Sequence, residues 1–182
     1  MKASAATILI AILFTATVLA LGYLSFGFWT TMIFTSGFAG GLLLWLIIPA
    51  RPPYEAIRAP YWLTFGLFVI HRVEEKLAGF FAALSRLTHV PTPDILSWNV
   101  ILLVALSVGA WLAVPVLLKR GIAFGYYLAW TFFAAMGITE LAHFIFPLIA
   151  GGPYGYFPGM ASAALLAPAA WWGLWRLGHQ HS

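Results

Sequence analysis

The chain has 182 residues, of which 63% are hydrophobic and only 8% are charged. Soluble domains carry about 25% charged residues, so this composition excludes an ordinary soluble protein and indicates a polytopic membrane protein. The absence of cysteine excludes disulfides, thiolate nucleophiles and Cys-ligated metals. The net charge of +4 comes from basic residues scattered between apolar runs, which argues against a nucleic-acid partner.

Six apolar runs follow one another along the chain, and each is close to the roughly 20 residues that a helix needs to cross a bilayer. They cover about residues 5–24, 28–48, 61–84, 95–118, 122–148 and 160–177. Only residues 25–27 separate the first two runs, so we expect a tight helical hairpin there. The sequence therefore predicts an all-α, polytopic transmembrane helical bundle of six spans. Residues 1–59 would form the N-terminal hairpin with its polar loop, and residues 60–182 a four-helix membrane domain.

Prolines and one aspartate mark the expected limits of these helices. Residues 49–60 are expected to form a polar loop, with Pro60 in the first turn of the third helix. Asp94 is the expected N-cap of the fourth helix. Pro115 is the one residue expected to break a span.

The distribution of Lys and Arg predicts the orientation of the six spans. With the N-terminus inside, the outer loops would hold only Arg86. The inner segments would hold Lys2, Arg51, Arg58, Lys119, Arg120 and Arg176. This bias predicts a multi-pass protein of the cell membrane with both termini in the cytoplasm. A cleaved signal peptide over the first run is the alternative, but its removal would set Arg51 and Arg58 against the bias.

Ionisable side chains interrupt the third and fifth apolar runs. In the third run Glu74 follows His71 at i+3 and Glu75 at i+4, so both carboxylates flank the imidazole on one side of a helix. In the fifth run Glu140 and His143 form a second i,i+3 pair. A charge at the bilayer centre costs roughly 2.5–3.5 kcal/mol on the insertion scale, so such residues are rare and usually functional.

The third and fifth runs both begin on the inner side of the predicted membrane, so they cross it in the same direction. Glu75 lies about fourteen residues into its run and Glu140 about eighteen. The difference in height is about 6 Å at 1.5 Å per residue, which helix tilt absorbs. We therefore expect the two ionisable pairs to meet in one buried site.

Three kinds of chemistry fit this site. Its residues would be His71, Glu74, Glu75, Glu140 and His143. All five could hold a divalent metal (iron, manganese or zinc), because di-iron and di-manganese bundles use Glu-x-x-His pairs and zinc also binds His and Glu. Without a metal, Glu75, Glu140 and His71 could act as catalytic proton donors and acceptors. The third possibility is a structural network that fixes helix packing. In it Glu74 and Glu75 are neutralised by Arg72, Lys76 and His143.

Three motifs resemble those of the HXXEE-domain family of bacterial and fungal membrane proteins, whose function is unknown. They are His71-Arg-Val-Glu74-Glu75, Glu140-Leu-Ala-His143 and Tyr156-Phe157-Pro158-Gly159-Met160. In the family the second motif commonly begins with Asn and the third contains Tyr-Ser-Pro-Gly, so Glu140 and Phe157 are departures. The resemblance covers about residues 60–175 and implies a protein of the bacterial inner membrane. The glutamate at position 140 would strengthen a metal site.

A weaker similarity is to the sterol isomerase (emopamil-binding) family, in which His71, Glu75 and Glu140 would match the groups that move a double bond. The sequence thus predicts an integral membrane enzyme of lipid metabolism, with a membrane lipid, an isoprenoid-like molecule or another apolar small molecule as its substrate. The alternatives are a metal-free acid–base isomerase or cyclase and a proton- or cation-coupled transporter. The transporter ranks lower because the halves do not repeat and Pro115 is the only expected break.

Overall fold

The computed structural model describes residues 3–179, and every regular element in that part of the chain is helical, as predicted. The elements are α1 (Ala5–Ile47), α2 (Tyr54–Ala78), α3 (Phe80–Thr88), α4 (Trp98–Lys119), α5 (Ala123–Gly137), a 3₁₀ turn (Thr139–Leu141), α6 (Ala142–Ile149) and α7 (Met160–Gly178). Three of the described segments are long and apolar enough to cross a membrane: Ala5–Ile47, Trp98–Lys119 and Ala123–Ile149. Lys2, which counts toward the positive-inside bias, lies outside the described residues.

Helix α1 is a hairpin of two helical arms that meet at Gly27, which has a φ of 74° and a ψ of −178°. The hydroxyl of Thr15 lies 2.7 Å from that of Tyr127, and the Trp45 ring lies 5.6 Å from the same tyrosine ring. Residues 15 and 45 would be about 45 Å apart in one straight helix. The chain therefore reverses direction at Gly27, as the sequence predicts.

Helix α5 is the centre of the bundle, and it is buried from Gly125 to Gly137. The second arm of α1 lies directly on its backbone, because a Cβ on Gly41 would be 2.5 Å from the Cα of Thr131. Helix α2 runs parallel to α5, since Tyr61 packs on Phe132 near the start of the contact and residues 71 and 140 meet near its end. Helix α7 returns antiparallel to both and fills the space between them.

The expected start and end of the third helix are wrong. Helix α2 begins at Tyr54, so Pro60 is well inside it rather than in its first turn. A proline leaves the carbonyl four residues earlier without its helical donor. That carbonyl belongs to Ala56, and it accepts a hydrogen bond from Nε of Arg176 at 2.9 Å, which satisfies the freed oxygen. The helix also ends early, at Ala78. The next residue, Gly79, adopts a left-handed conformation and is the N-cap of α3.

Two further expectations about helix limits are wrong. Asp94 does not cap α4; its carboxylate accepts from the backbone N–H of Leu96 in a turn, and Ser97 is the N-cap residue. Pro115 remains inside the continuous helix α4, whereas the break in the fifth apolar run occurs at Ile138. The chain therefore breaks where the ionisable residues lie and not at the proline.

Candidate functional site

The first half of the site is the last turns of α2. His71 and Glu75 are four residues apart, so their side chains lie on one face of the helix. Both are buried, with exposed fractions of 0% and 4%. Because α2 ends at Ala78, the site lies close to the C-terminal end of this helix.

The second half of the site is the break between α5 and α6. The indole N–H of Trp171 donates to the carbonyl of Gly137 at 2.6 Å, which is the acceptor that Leu141 would use in a continuous α-helix. Leu141 instead donates to the carbonyl of Ile138 at 3.2 Å, so a single 3₁₀ turn replaces the α-helix. Glu140 lies in that turn and His143 follows in the first turn of α6.

Both halves meet, as the sequence predicts, and four buried side chains converge. Nε2 of His71 lies 3.1 Å from Oε2 of Glu140 and 3.5 Å from Oε1 of Glu75. Nε2 of His143 lies 3.2 Å and 3.4 Å from the same two oxygens. The four atoms all lie within 4.8 Å of one another. We call these residues the His/Glu cluster.

The outer nitrogen of each imidazole is held by an oxygen atom. Nδ1 of His143 lies 2.6 Å from the carbonyl of Pro158, which can only accept, so this nitrogen carries a proton. Nδ1 of His71 lies 2.8 Å from the hydroxyl of Ser162, and that hydroxyl donates to the carbonyl of Gly159 at 3.4 Å. This arrangement lets Ser162 accept from His71. In neutral rings both Nε2 atoms would then present lone pairs to the centre of the cluster.

Arg72 compensates part of the negative charge of the cluster. Its guanidinium lies 2.7 Å from Oε2 of Glu75 and 3.6 Å from Oε1 of Glu140, which are the carboxylate oxygens that face away from the imidazoles. Arg72 and Glu75 are three residues apart in α2, so their side chains lie close together on the helix surface. Oε1 of Glu75 has no hydrogen-bond donor in the described part of the chain. The inward oxygen of this carboxylate is therefore free to bind a cation.

Glu74, a predicted metal ligand, points away from the cluster. Its carboxylate accepts hydrogen bonds from the backbone N–H groups of Ala161 at 3.1 Å and Ser162 at 2.7 Å. These groups belong to the first turn of α7, where helical N–H groups lack partners and a negative charge is favourable. The hydroxyl of Tyr156 also donates to Glu74 at 2.6 Å, and this hydrogen bond raises the pKa of the tyrosine. Glu74 thus anchors α7 to α2.

The contacts of Pro158, Gly159 and Ser162 with the imidazoles are features of the site that the spacing of ionisable residues does not reveal. Gly159 has a φ of 92°, and a Cβ there would lie 2.5 Å from Cε1 of His143. Only glycine combines this conformation with such a close approach. The signal in the sequence was the Tyr156–Met160 segment, which carried a family resemblance and lies directly against the cluster.

The four ligand atoms of the cluster lie close enough together that they could hold one metal ion. Four ligand atoms at 2.0–2.1 Å from a zinc ion lie about 3.3–3.4 Å apart in tetrahedral geometry. The four His–Glu pairs in the cluster are separated by 3.1–3.5 Å, which is close to this value. The His–His and Glu–Glu pairs lie within 4.8 Å, so tetrahedral binding would draw any pair beyond about 3.4 Å closer together. The carbonyl and hydroxyl behind the imidazoles are typical outer partners of metal-ligating histidines. The same four groups would also form an ion-pair network if both rings were protonated.

Aromatic side chains close one side of the cluster. The rings of Phe80, Phe146 and Phe157 lie 5.1, 6.0 and 6.2 Å from the ring of His143. Phe80 is the first residue of α3, so the start of this short helix lies against the site. Its only buried residue is Leu84, which packs with Phe146 and Phe157. This side of the cluster is therefore apolar, and charge interactions are stronger beside it than in water.

These features define a helical protein with apolar segments long enough to cross a membrane and a buried His/Glu cluster between α2, the α5–α6 break and α7. The chain belongs to the family described as proteins of unknown function with an HXXEE motif, whose model matches residues 62–173. The predicted family is therefore confirmed. No curated protein and no solved structure matches the chain, so the similarity to sterol isomerases stays a prediction.

Proposed function

We propose that this protein is an integral membrane enzyme whose His/Glu cluster binds one divalent metal ion and acts on a lipid or isoprenoid-like substrate. The observation that carries the proposal is the convergence of two imidazole Nε2 atoms and two carboxylate oxygens, all from buried residues, within 4.8 Å. Ionisable groups inside an apolar bundle are expensive and mark functional sites. An apolar substrate dissolved in the bilayer would reach such a site without crossing water.

The membrane arrangement that we propose has six spans with both termini in the cytoplasm. The spans would be the two arms of α1, then α2, α4, the α5–α6 unit and α7. The distribution of Lys and Arg supports this orientation. Glu75 lies three residues before the end of α2, which is about 4.5 Å along the helix, so the cluster would face the outer part of the bilayer. A bacterial inner membrane suits the proposal.

The ligand set favours one ion over two. Dinuclear carboxylate sites in helical bundles use four Glu and two His residues. The cluster offers two Glu and two His residues. Glu74 is not among them, because its carboxylate binds backbone N–H groups at the start of α7. Zinc, iron and manganese all accept imidazole and carboxylate ligands. Such an ion would supply Lewis-acid chemistry to a polar group of the substrate. The protein would hold the two imidazoles in place and keep the surround apolar.

Metal content of the detergent-purified protein tests this proposal. We expect about one zinc, iron or manganese per chain in the wild type, and strong loss in Glu140→Gln and His143→Gln, which each remove one ligand. The matched control is Glu74→Gln, since this carboxylate is in the same motif but outside the cluster, and it should retain the metal. Thermal unfolding of each variant checks that it is folded. A folded wild type without metal after mild purification would refute the metal site.

Transport of a proton or cation is the second candidate, and one observation favours it. The α5–α6 helix is broken at residues 138–141, inside an apolar segment and beside two carboxylates. Transporters commonly place ion sites at such breaks. Proteoliposomes loaded with a pH-sensitive dye separate the two functions. Proton flux that is lost in Glu140→Gln would favour transport. No proton flux, from a protein that retains its metal, would favour the enzyme. A folded, metal-free protein that also shows no flux would leave acid–base catalysis by the same residues.

A further inference from the structure

A cavity of about 560 Å³ borders residues 156–158, the segment that contacts the His/Glu cluster. It is bounded by the C-terminal end of α3, the end of α6 and the loop that leads to α7. Tyr156, Phe157 and Pro158 line it. Each of these residues also contacts the site or its anchor. The Tyr156 hydroxyl donates to Glu74, the Phe157 ring contacts the ring of His143, and the Pro158 carbonyl accepts from Nδ1 of that histidine. The cavity and the cluster therefore share one wall.

The polar lining of the cavity carries one arginine and one histidine, which are both hydrogen-bond donors. Arg86 and His89, at the end of α3, both line it and are both exposed. Between Lys76 and Lys119, Arg86 is the only Lys or Arg in the sequence. In the described residues its guanidinium has no carboxylate partner. In the proposed orientation it is also the one basic side chain of the outer loops, so its position does not follow from the positive-inside bias.

One large apolar side chain of the lining faces outward. Ile149 lines the cavity and is 62% exposed, and its neighbour Leu148 is 68% exposed. In the proposed orientation these side chains contact lipid chains at the outer boundary of the bilayer. The cavity thus combines donors for an anion with an open apolar edge for a hydrocarbon chain.

We propose that this cavity binds the anionic head group of a single-chain amphiphile, through phosphate or carboxylate oxygens. Arg86 and His89 donate to the anionic oxygens, and the chain lies along Ile149. The inference rests on the proposed function for the step that follows binding, because it names the class of substrate presented to the His/Glu cluster. Binding itself depends only on the cavity.

Binding of radiolabelled dodecyl phosphate to the protein in zwitterionic nanodiscs, with empty nanodiscs subtracted, tests the inference. We expect saturable binding of about one molecule per chain. Loss of one charge-assisted hydrogen bond in Arg86→Ala should weaken it about 10-fold or more. Ala150→Trp should weaken binding, since Ala150 is an exposed residue of the cavity wall and the indole would occupy part of the space. Arg58→Ala is the control, because Arg58 is exposed at the other end of the bundle.

Three further arms define the ligand. Dodecanoate in place of dodecyl phosphate decides between carboxylate and phosphate by which one binds more tightly. Dodecanol should show no saturable binding, because it lacks the anionic group. Inorganic phosphate should bind weakly, because it lacks the hydrocarbon chain. Equal affinity of wild type and Arg86→Ala, or no saturable binding of either anion, would overturn the inference.

Metal content measured in the same samples keeps the two proposals apart. Metal retained without amphiphile binding removes only the cavity inference. Saturable binding by a folded protein that lacks metal removes only the metal site and leaves the cavity as a binding site.

Discussion

Replacing Gly159 with alanine tests whether the loop before α7 presses on both imidazoles of the cluster. Gly159 has a φ of 92°, and a Cβ there would lie 2.5 Å from Cε1 of His143 and 2.9 Å from Cε1 of His71. A left-handed backbone costs a non-glycine residue about 1–2 kcal/mol, and overpacking adds about 1–3 kcal/mol. We therefore expect Gly159→Ala to lower the free energy of unfolding by about 2–5 kcal/mol.

Gly151, in the same loop, separates these two causes. Its φ is 77°, also positive, but no atom lies within 4 Å of a Cβ built on it. Gly151→Ala should therefore lose only about 1–2 kcal/mol through backbone strain. The entropy change of the unfolded chain is the same for both Gly→Ala changes and cancels in the comparison. The remaining difference, about 1–3 kcal/mol, measures the collision with the imidazoles.

Chemical unfolding in detergent, monitored by tryptophan fluorescence, gives the free energy of unfolding of each variant. Metal content supplies a second readout, since displaced imidazoles should bind less metal in Gly159→Ala and as much as the wild type in Gly151→Ala. Equal stability loss in the two variants, together with unchanged metal content, would refute the close contact of Gly159 with the cluster.

Two other predictions concern the support of the cluster and the bundle. Ser162→Ala removes the oxygen behind His71 while keeping a good helix former, so metal affinity in a chelator competition should fall about 10-fold or more; unchanged affinity would show that the hydroxyl does not orient the ring. Gly41→Ala places a methyl group against the backbone of Thr131 and should destabilise the protein by about 1–3 kcal/mol. Gly40→Ala meets open space and should not destabilise it; equal melting temperatures would argue against this helix contact.

Local spacing was enough to predict part of the site. The i,i+4 relation of His71 and Glu75 and the i,i+3 relation of Glu140 and His143 set each pair on one helical face. Tertiary structure adjusted the second pair, because the 3₁₀ turn changes the direction of Glu140. The two pairs meet even though the fifth apolar run is not one helix.

Helix limits were predicted less well, because side chains distant in sequence decide them. Arg176 satisfies the carbonyl that Pro60 leaves free, so α2 continues through the proline. Trp171 takes the carbonyl of Gly137, so α5 stops one turn before Glu140. Both partners lie in α7, so the sequences of α2 and α5 cannot reveal them. The expectation that Pro115 alone would break a span therefore failed.

The sequence by itself determined that the chain is apolar and helical, that it reverses at residues 25–27, and that two His/Glu pairs interrupt its apolar runs. Those properties follow from composition and from the helical period, which are local. The tertiary structure alone decided which glutamate of the Glu74-Glu75 pair joins the cluster. Both carboxylates flank His71 along the helix, but the free N–H groups of α7 bind Glu74. Only Glu75 then faces the break that carries Glu140.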